Sequence, residues 1–127
     1  MQPHDTDLAD LQGNWEQVDL QVDGVPNPAD CFTADGALTT ISADRFTVRT
    51  ADGVVLLEGR FILDASKVPK SITWIDAIGA DAGRPLPASY VLEADRFVFI
   101  AADACAPRPT VFQTVRGQVM RTFIRRR

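Results

Sequence analysis

The residues able to do acid–base or covalent chemistry are few and scattered. Asp19 lies midway along an alternating run, Asn14 to Val22, and Tyr90, the single tyrosine, lies in another strand-like run. A carboxylate held in an apolar interior has its ionised form destabilised, so it holds its proton more tightly, as a proton-abstraction catalyst requires. A tyrosine in such a place offers an apolar ring and a hydroxyl that needs a partner. Asp19 and Tyr90 are therefore the acid–base candidates, set against plainer roles: Asp19 paired with an interior arginine, Tyr90 filling the core. Glu58, Glu93 and Asp76 also fall on strand-like runs. Carboxylates on the solvated face of an antiparallel sheet are ordinary, and no spacing singles these out.

Covalent and metal chemistry have less support. Cys31 and Cys105 are the two cysteines and His4 the one histidine. A nucleophilic cysteine needs a base at a fixed distance, and His4 sits in a terminal segment. Two cysteines are too few for a structural zinc site without more histidine, so no metal is expected. They fall in two long connections that would emerge at the same end of a meander, so a Cys31–Cys105 disulfide is one reading and separate thiols the other. There is no glycine-rich phosphate loop and no Gly-x-Ser-x-Gly elbow, and no cofactor is expected.

Composition excludes further classes. The 127 residues carry thirteen Lys or Arg against seventeen Asp or Glu, a net charge of −4. The cationic excess that dominates nucleic-acid affinity is missing, and Arg125-Arg126-Arg127 reads as a solvated tail. No apolar run approaches the ~20 residues that span a bilayer. The first residues, Met1 to Asp5, have neither a basic nor an apolar region of a signal peptide, so none is expected in this sequence, and the compartment stays open.

The elements that must position these residues read as hairpins. Leu8 to Gln12 fits a short helical turn; elsewhere runs rich in Val, Ile, Thr and Phe alternate with Asp-Gly and Ala-Asp punctuation. Eight strands are predicted: 14–22, 37–42, 45–50, 54–63, 71–76, 88–93, 96–102 and 119–125, with 110–115 as an extension of the last. Ala43-Asp44-Arg45-Phe46 recurs as Ala94-Asp95-Arg96-Phe97, and Thr33-Ala34-Asp35-Gly36 as Thr50-Ala51-Asp52-Gly53, marking tight turns. Meander order without crossover helices favours an all-β, eight-stranded antiparallel up-and-down barrel, with a two-sheet sandwich as the other arrangement. Residues 1–10 are expected to be a flexible N-terminus and 11–127 a single barrel domain. At eight strands the interior holds side chains or one small ligand.

Leu11-Gln12-Gly13-Asn14-Trp15 carries a Gly-x-Trp that resembles the opening motif of lipocalins and fatty-acid-binding proteins. More of the chain is similar to an uncharacterised bacterial lipocalin-like domain family abundant in planctomycetes. The similar pieces are Val22-Asp23-Gly24-Val25-Pro26, Glu58-Gly59-Arg60-Phe61, Leu63-Asp64, Ser66 to Lys70, Tyr90-Val91-Leu92 and Arg108 to Phe112. The resemblance implies a lipocalin-like barrel with Trp15 at the closed end, stacked under an arginine of the final strand; Arg121 and Arg125 are both available. It implies no reaction. Thr73 stands where an acidic residue is expected and Ser89 where glycine is usual.

The first strand has two unlike faces. Unbroken alternation from Trp15 turns Gln17, Asp19 and Gln21 inward; a bulge after Trp15 turns Val18, Leu20 and Val22 inward instead. The polar interior is favoured, because fatty-acid-binding proteins place polar side chains on that face, and it would leave an outward apolar stripe as a dimer contact. The expected ligand lining is thus Trp15, Gln17, Asp19, Gln21, Trp74, Tyr90, Phe97 and Phe99. The function expected is binding of a small hydrophobic or amphipathic molecule by a monomer or homodimer. The alternatives are cofactor-free isomerase- or cyclase-type chemistry in the same cavity, or a filled barrel serving as an interaction domain.

Overall fold

A computed structural model describes residues 3–28 and 36–126. The chain is all-β apart from one helix: α1 (Pro3–Leu11) precedes β1 (Gly13–Val22), β2 (Val25–Pro26), β3 (Leu38–Ser42), β4 (Arg45–Arg49), β5 (Val55–Asp64), β6 (Lys70–Asp76), β7 (Pro85–Glu93), β8 (Arg96–Ala102) and β9 (Gln118–Arg126). Every strand from β3 to β9 pairs antiparallel with the next, and β1 pairs with both β3 and β9, so eight strands close into an up-and-down barrel. The two-residue β2 is an extra strand on the upper half of β1, where Val22 faces Val25. Closure removes the unpaired edges that an open meander would expose.

Strand boundaries follow the punctuation. Ala43 and Ala94 take positive φ (54° and 47°) in the two echoing turns, each followed by an Asp. The main departure in the strands is β7, which starts at Pro85 and not at Ala88. Pro85 and Pro87 pair only with β6, because pairing with β8 begins at Ala88. A proline lacking its N–H is tolerated on a side that has no ladder to serve. Residues 110–115 do not extend β9; the segment from Asp103 to Gly117 is irregular.

Of the N-terminal residues expected to be flexible, those from 3 onward lie in a helix. Residues 3–11 form a helix that begins at a proline, whose missing N–H costs nothing in a first turn. Leu11 is fully buried, Leu8 packs on the core, and α1 stoppers the end of the barrel where the 43–44, 65–69 and 94–95 turns gather. Two side chains fix it there. Tyr90 donates its hydroxyl to Asp7 Oδ2 (2.7 Å), and Lys70 Nζ makes an ion pair with the same oxygen (3.0 Å).

Alternation sorts the rest. Inward positions carry Trp15, Ile41, Phe46, Phe61, Ile72, Trp74, Tyr90, Phe97 and Phe123, the core. Outward positions on β7, β8 and β9 are also covered: Ser89, Ile100 and Thr122 are buried. The 103–117 segment is tied to that outer face. Ser89 Oγ donates to Pro109 O, and Arg108 donates to the carbonyls of Ile72 and Ala88 and to Thr73 Oγ1. Thr73 and Ser89 are thus both fastenings for this segment. No helix among the described residues is long and apolar enough to cross a membrane.

Candidate functional site

At the end opposite α1, the barrel interior keeps a cavity of about 220 Å³. Its wall is built from alternate residues of all eight barrel strands, so the register of each hairpin decides what the cavity presents. Six aromatic rings line it: Trp15, Phe46, Trp74, Phe97, Phe99 and Phe123. They contact one another as a continuous cluster, with Trp74 4.8 Å from Phe99 and 5.1 Å edge-on from Phe46, and Phe123 stacked near Phe97 (5.8 Å) and Phe99 (6.0 Å).

Polar groups enter at a few defined places. Arg121, from β9, donates to Gln17 Oε1 (2.9 Å) on the neighbouring β1. Asp76 ends β6, Asp81 sits in the 77–84 connection and Asp103 follows β8; all three line the cavity. Loss of hydration raises the proton affinity of the Asp76 carboxyl above the ordinary 3.8, and the nearby Asp81 raises it further, while Arg121 opposes both. Gly59 lies opposite Asp76 and allows β5 and β6 to pack closely: a Cβ there would fall 2.2 Å from Ile75 O and 3.0 Å from Phe46 Cε1.

Of the residues expected to line a pocket, Trp15, Gln17, Trp74, Phe97 and Phe99 do so together. Asp19, Gln21 and Tyr90 do not. The reason for the first two is a bulge between Gln17 and Asp19: Gln17 faces Phe123, but Asp19 faces Thr122. One extra residue reverses the parity, so Leu20 is buried and Val18 is half exposed. Asp19 is exposed on the outer face. Gln21 accepts from the N–H (2.6 Å) and hydroxyl (2.7 Å) of Thr114, tying down the 103–117 segment. The continuous outward stripe of Val18, Leu20 and Val22, expected as a dimer contact, does not form, because Leu20 turns inward.

Tyr90 is buried at the closed end. Its phenol is held neutral far above the ordinary range by burial and by the Asp7 carboxylate that accepts its proton's hydrogen bond, with Asp64 adding repulsion. Its hydroxyl is thereby engaged as a donor to Asp7 at the closed end, away from the cavity lining. Of the three aspartates on the cavity lining, Asp76 is the one whose proton affinity is raised, and its charged neighbours Asp81 and Arg121 come from the 77–84 connection and from β9. Phe46 and Phe123 were missed, being apolar residues on strands with no mark to distinguish lining from packing.

Cys105 is an exposed free thiol, and Cys31, its possible disulfide partner, lies outside the described residues. Among the described residues no group of His, Cys, Asp or Glu is placed to hold a metal ion. Comparison with family models, with curated proteins and with solved structures finds no match to this chain.

Proposed function

We propose that the protein binds a small, mainly apolar molecule in the barrel cavity. The observation that carries this reading is the cavity itself: about 220 Å³ bounded by six aromatic rings, with its polar groups confined to Gln17, Thr39, Arg121 and three aspartates. Small-molecule sites are concave and mostly apolar, with a few polar groups that orient the ligand. A core meant only for stability would be filled, since each void forfeits contacts. The similarity of the Gly-x-Trp opening and the later segments to a lipocalin-like family agrees with a carrier or sensor role.

The test is saturable uptake of naphthalene-sized compounds, followed by tryptophan fluorescence and calorimetry. One-to-one binding is expected, and Ala101→Phe, which fills the cavity from β8, abolishes it. Absence of saturable uptake leaves the barrel as an interaction domain.

Acid–base catalysis in the same cavity is the second reading, favoured by the raised proton affinity of Asp76. It requires a rate that inflects above the ordinary carboxylate range and that Asp76→Asn removes.

A further inference from the structure

Alternation along the cavity wall puts carboxylates directly beyond the aromatic rings. On β6, Trp74 and Asp76 share the inward face two residues apart, about 7 Å along the strand. On β8, Phe97, Phe99 and Ala101 share it in the same way, and Asp103 continues that parity just past the strand's end. Both strands run antiparallel to β7, so Asp76, Asp103 and the 77–84 connection that carries Asp81 all stand at the open end, opposite α1. The cavity is aromatic inside and acidic at its mouth.

Among the described residues, the positive charge on the lining comes from Arg121, whose guanidinium is already engaged with Gln17 Oε1 at 2.9 Å. Arg84 reaches Asp81 from outside the lining at 3.6 Å, but both side chains are about half exposed, and such pairs contribute little. The balance shows at Asp76, where burial and the Asp81 charge strengthen the carboxyl's hold on its proton more than Arg121 weakens it. The mouth is short of positive charge, and its carboxylates are not placed to hold a metal ion together.

Resting on the binding reading above, we infer that the cavity's occupant is a small arylalkyl amine, its ring among the rings of the wall and its protonated nitrogen at the mouth, donating to Asp76. Size limits the ring: an apolar cavity of about 150 Å³ holds benzene, so 220 Å³ takes one ring and a short arm. The spacing from Trp74 to Asp76 sets that arm, since roughly two carbons join a ring level with Trp74 to a nitrogen in hydrogen-bond reach of the carboxylate. Aromatic faces attract a neighbouring cation, and ammonium–carboxylate hydrogen bonds are among the strong ones. The nitrogen keeps part of its hydration, because Asp103 is exposed and Asp76 and Asp81 are partly so. An organic anion would instead bring a fourth negative charge to the lining.

2-Phenylethylamine, 2-phenylethanol and phenylacetate separate this inference from the binding reading, because each carries one ring on a two-carbon arm and they differ in charge. In calorimetry at neutral pH the amine is expected to bind about tenfold more tightly than the alcohol, the scale of one charge-assisted hydrogen bond, with phenylacetate weakest. Asp76→Asn removes most of that preference and leaves alcohol binding in place. Ala101→Phe, which fills the cavity, abolishes the binding of both. An amine no tighter than the alcohol, or one whose advantage survives Asp76→Asn, overturns the amine inference and leaves the cavity reading intact. Amine binding that survives Ala101→Phe belongs to the acidic surface outside the cavity and overturns the inference too. Failure of all three compounds and of naphthalene to bind overturns both readings.

Discussion

The guanidinium of Arg125 lies over the ring of Trp15, its carbon 4.4 Å from the ring centroid. This pairing joins the first and last strands of the barrel, since Trp15 in β1 and Arg125 in β9 are also direct partners across the closing seam. Arg125 does more than stack. It donates to the carbonyls of Gln12 and Asp10 and forms an ion pair with Asp95, so one side chain holds the strand junction, the C-terminus of α1 and the β7–β8 turn. It fills the role that the lipocalin-like resemblance offered equally to Arg121, which points into the cavity instead.

Arg125→Ala is therefore expected to lower stability by about 2–4 kcal/mol, combining a partly desolvated cation–π contact with lost charge-assisted hydrogen bonds. Arg125→Lys recovers little of it, because an ammonium cannot stack as a plane and donate in several directions at once. The denaturant midpoint measures both. A loss below about 0.5 kcal/mol, the level of an ordinary surface substitution, would show that the seam is held by strand pairing alone.

Tyr90→Phe separates structure from binding. It leaves Asp7 with Lys70 as partner, and a cost of about 1–2 kcal/mol is expected for losing the buried hydrogen bond. Ligand uptake at saturating folded fraction should not change, as Tyr90 lies at the α1 end and outside the cavity lining. A selective loss of binding in a stably folded Tyr90→Phe protein would restore Tyr90 to the site.

Asp76 sets a pH dependence of defined sign. Its folded-state pKa is raised above 3.8 by burial first and by Asp81 second. Between the unfolded and folded values the native state binds more protons than the unfolded chain, so this group's contribution to stability falls as pH rises through that window. Asp76→Asn removes the effect. The variant is expected to be more stable than the parent at neutral pH, with the gap opening as pH rises above 3.8 and closing in acid. Paired thermal melts across pH measure it, and a constant gap would mean that Asp76 is solvated like a surface carboxylate.

Gly59→Ala should be among the most damaging single changes in the barrel. The added carbon would meet the Ile75 carbonyl at 2.2 Å, and backbone in a paired neighbouring strand cannot retreat as a flexible side chain can. Overpacking of this kind costs about 3 kcal/mol, and forcing β5 from β6 also displaces Asp76 and Trp74 from the cavity wall. A folded Gly59→Ala protein with unchanged stability would show that the two strands pack less closely than described.

The hairpins were legible because Ala-Asp and Asp-Gly pairs carry their own turn chemistry, and Trp15 was legible from its Gly-x-Trp setting. The helix was visible only as Leu8 to Gln12, since Pro3 to Asp7 has no apolar periodicity and is held largely through the bonds Asp7 makes to Tyr90 and Lys70, residues more than sixty positions away. Asp76 was set aside as an ordinary strand carboxylate for the same reason: its neighbours Arg121 and Asp81 come from another strand and a loop. Asp19 failed differently. A bulge leaves no required residue type behind, so alternation read across it puts every later side chain on the opposite face.

That bulge yields the sharpest test of the register. Gln17 faces Phe123 and Asp19 faces Thr122, so Val18 is the residue in excess. Removing it leaves Trp15 and Gln17 on the cavity side below and Leu20 and Val22 on the same side above, now in regular alternation. Val18 is also half exposed, so little packing goes with it. The Val18 deletion is expected to fold cooperatively at a cost of about 1–2 kcal/mol, the price of the extra twist a bulge lends a closing strand. Deleting Leu20 two positions later has the opposite outcome. It removes a buried side chain and shifts one part of β1 by a residue against β9, turning either Trp15 and Gln17 or Val22 away from the interior. That variant should lose its cooperative melt. If the Leu20 deletion were tolerated and the Val18 deletion were not, the parity of β1 would be the reverse of that described, and Asp19 and Gln21 would return to the cavity.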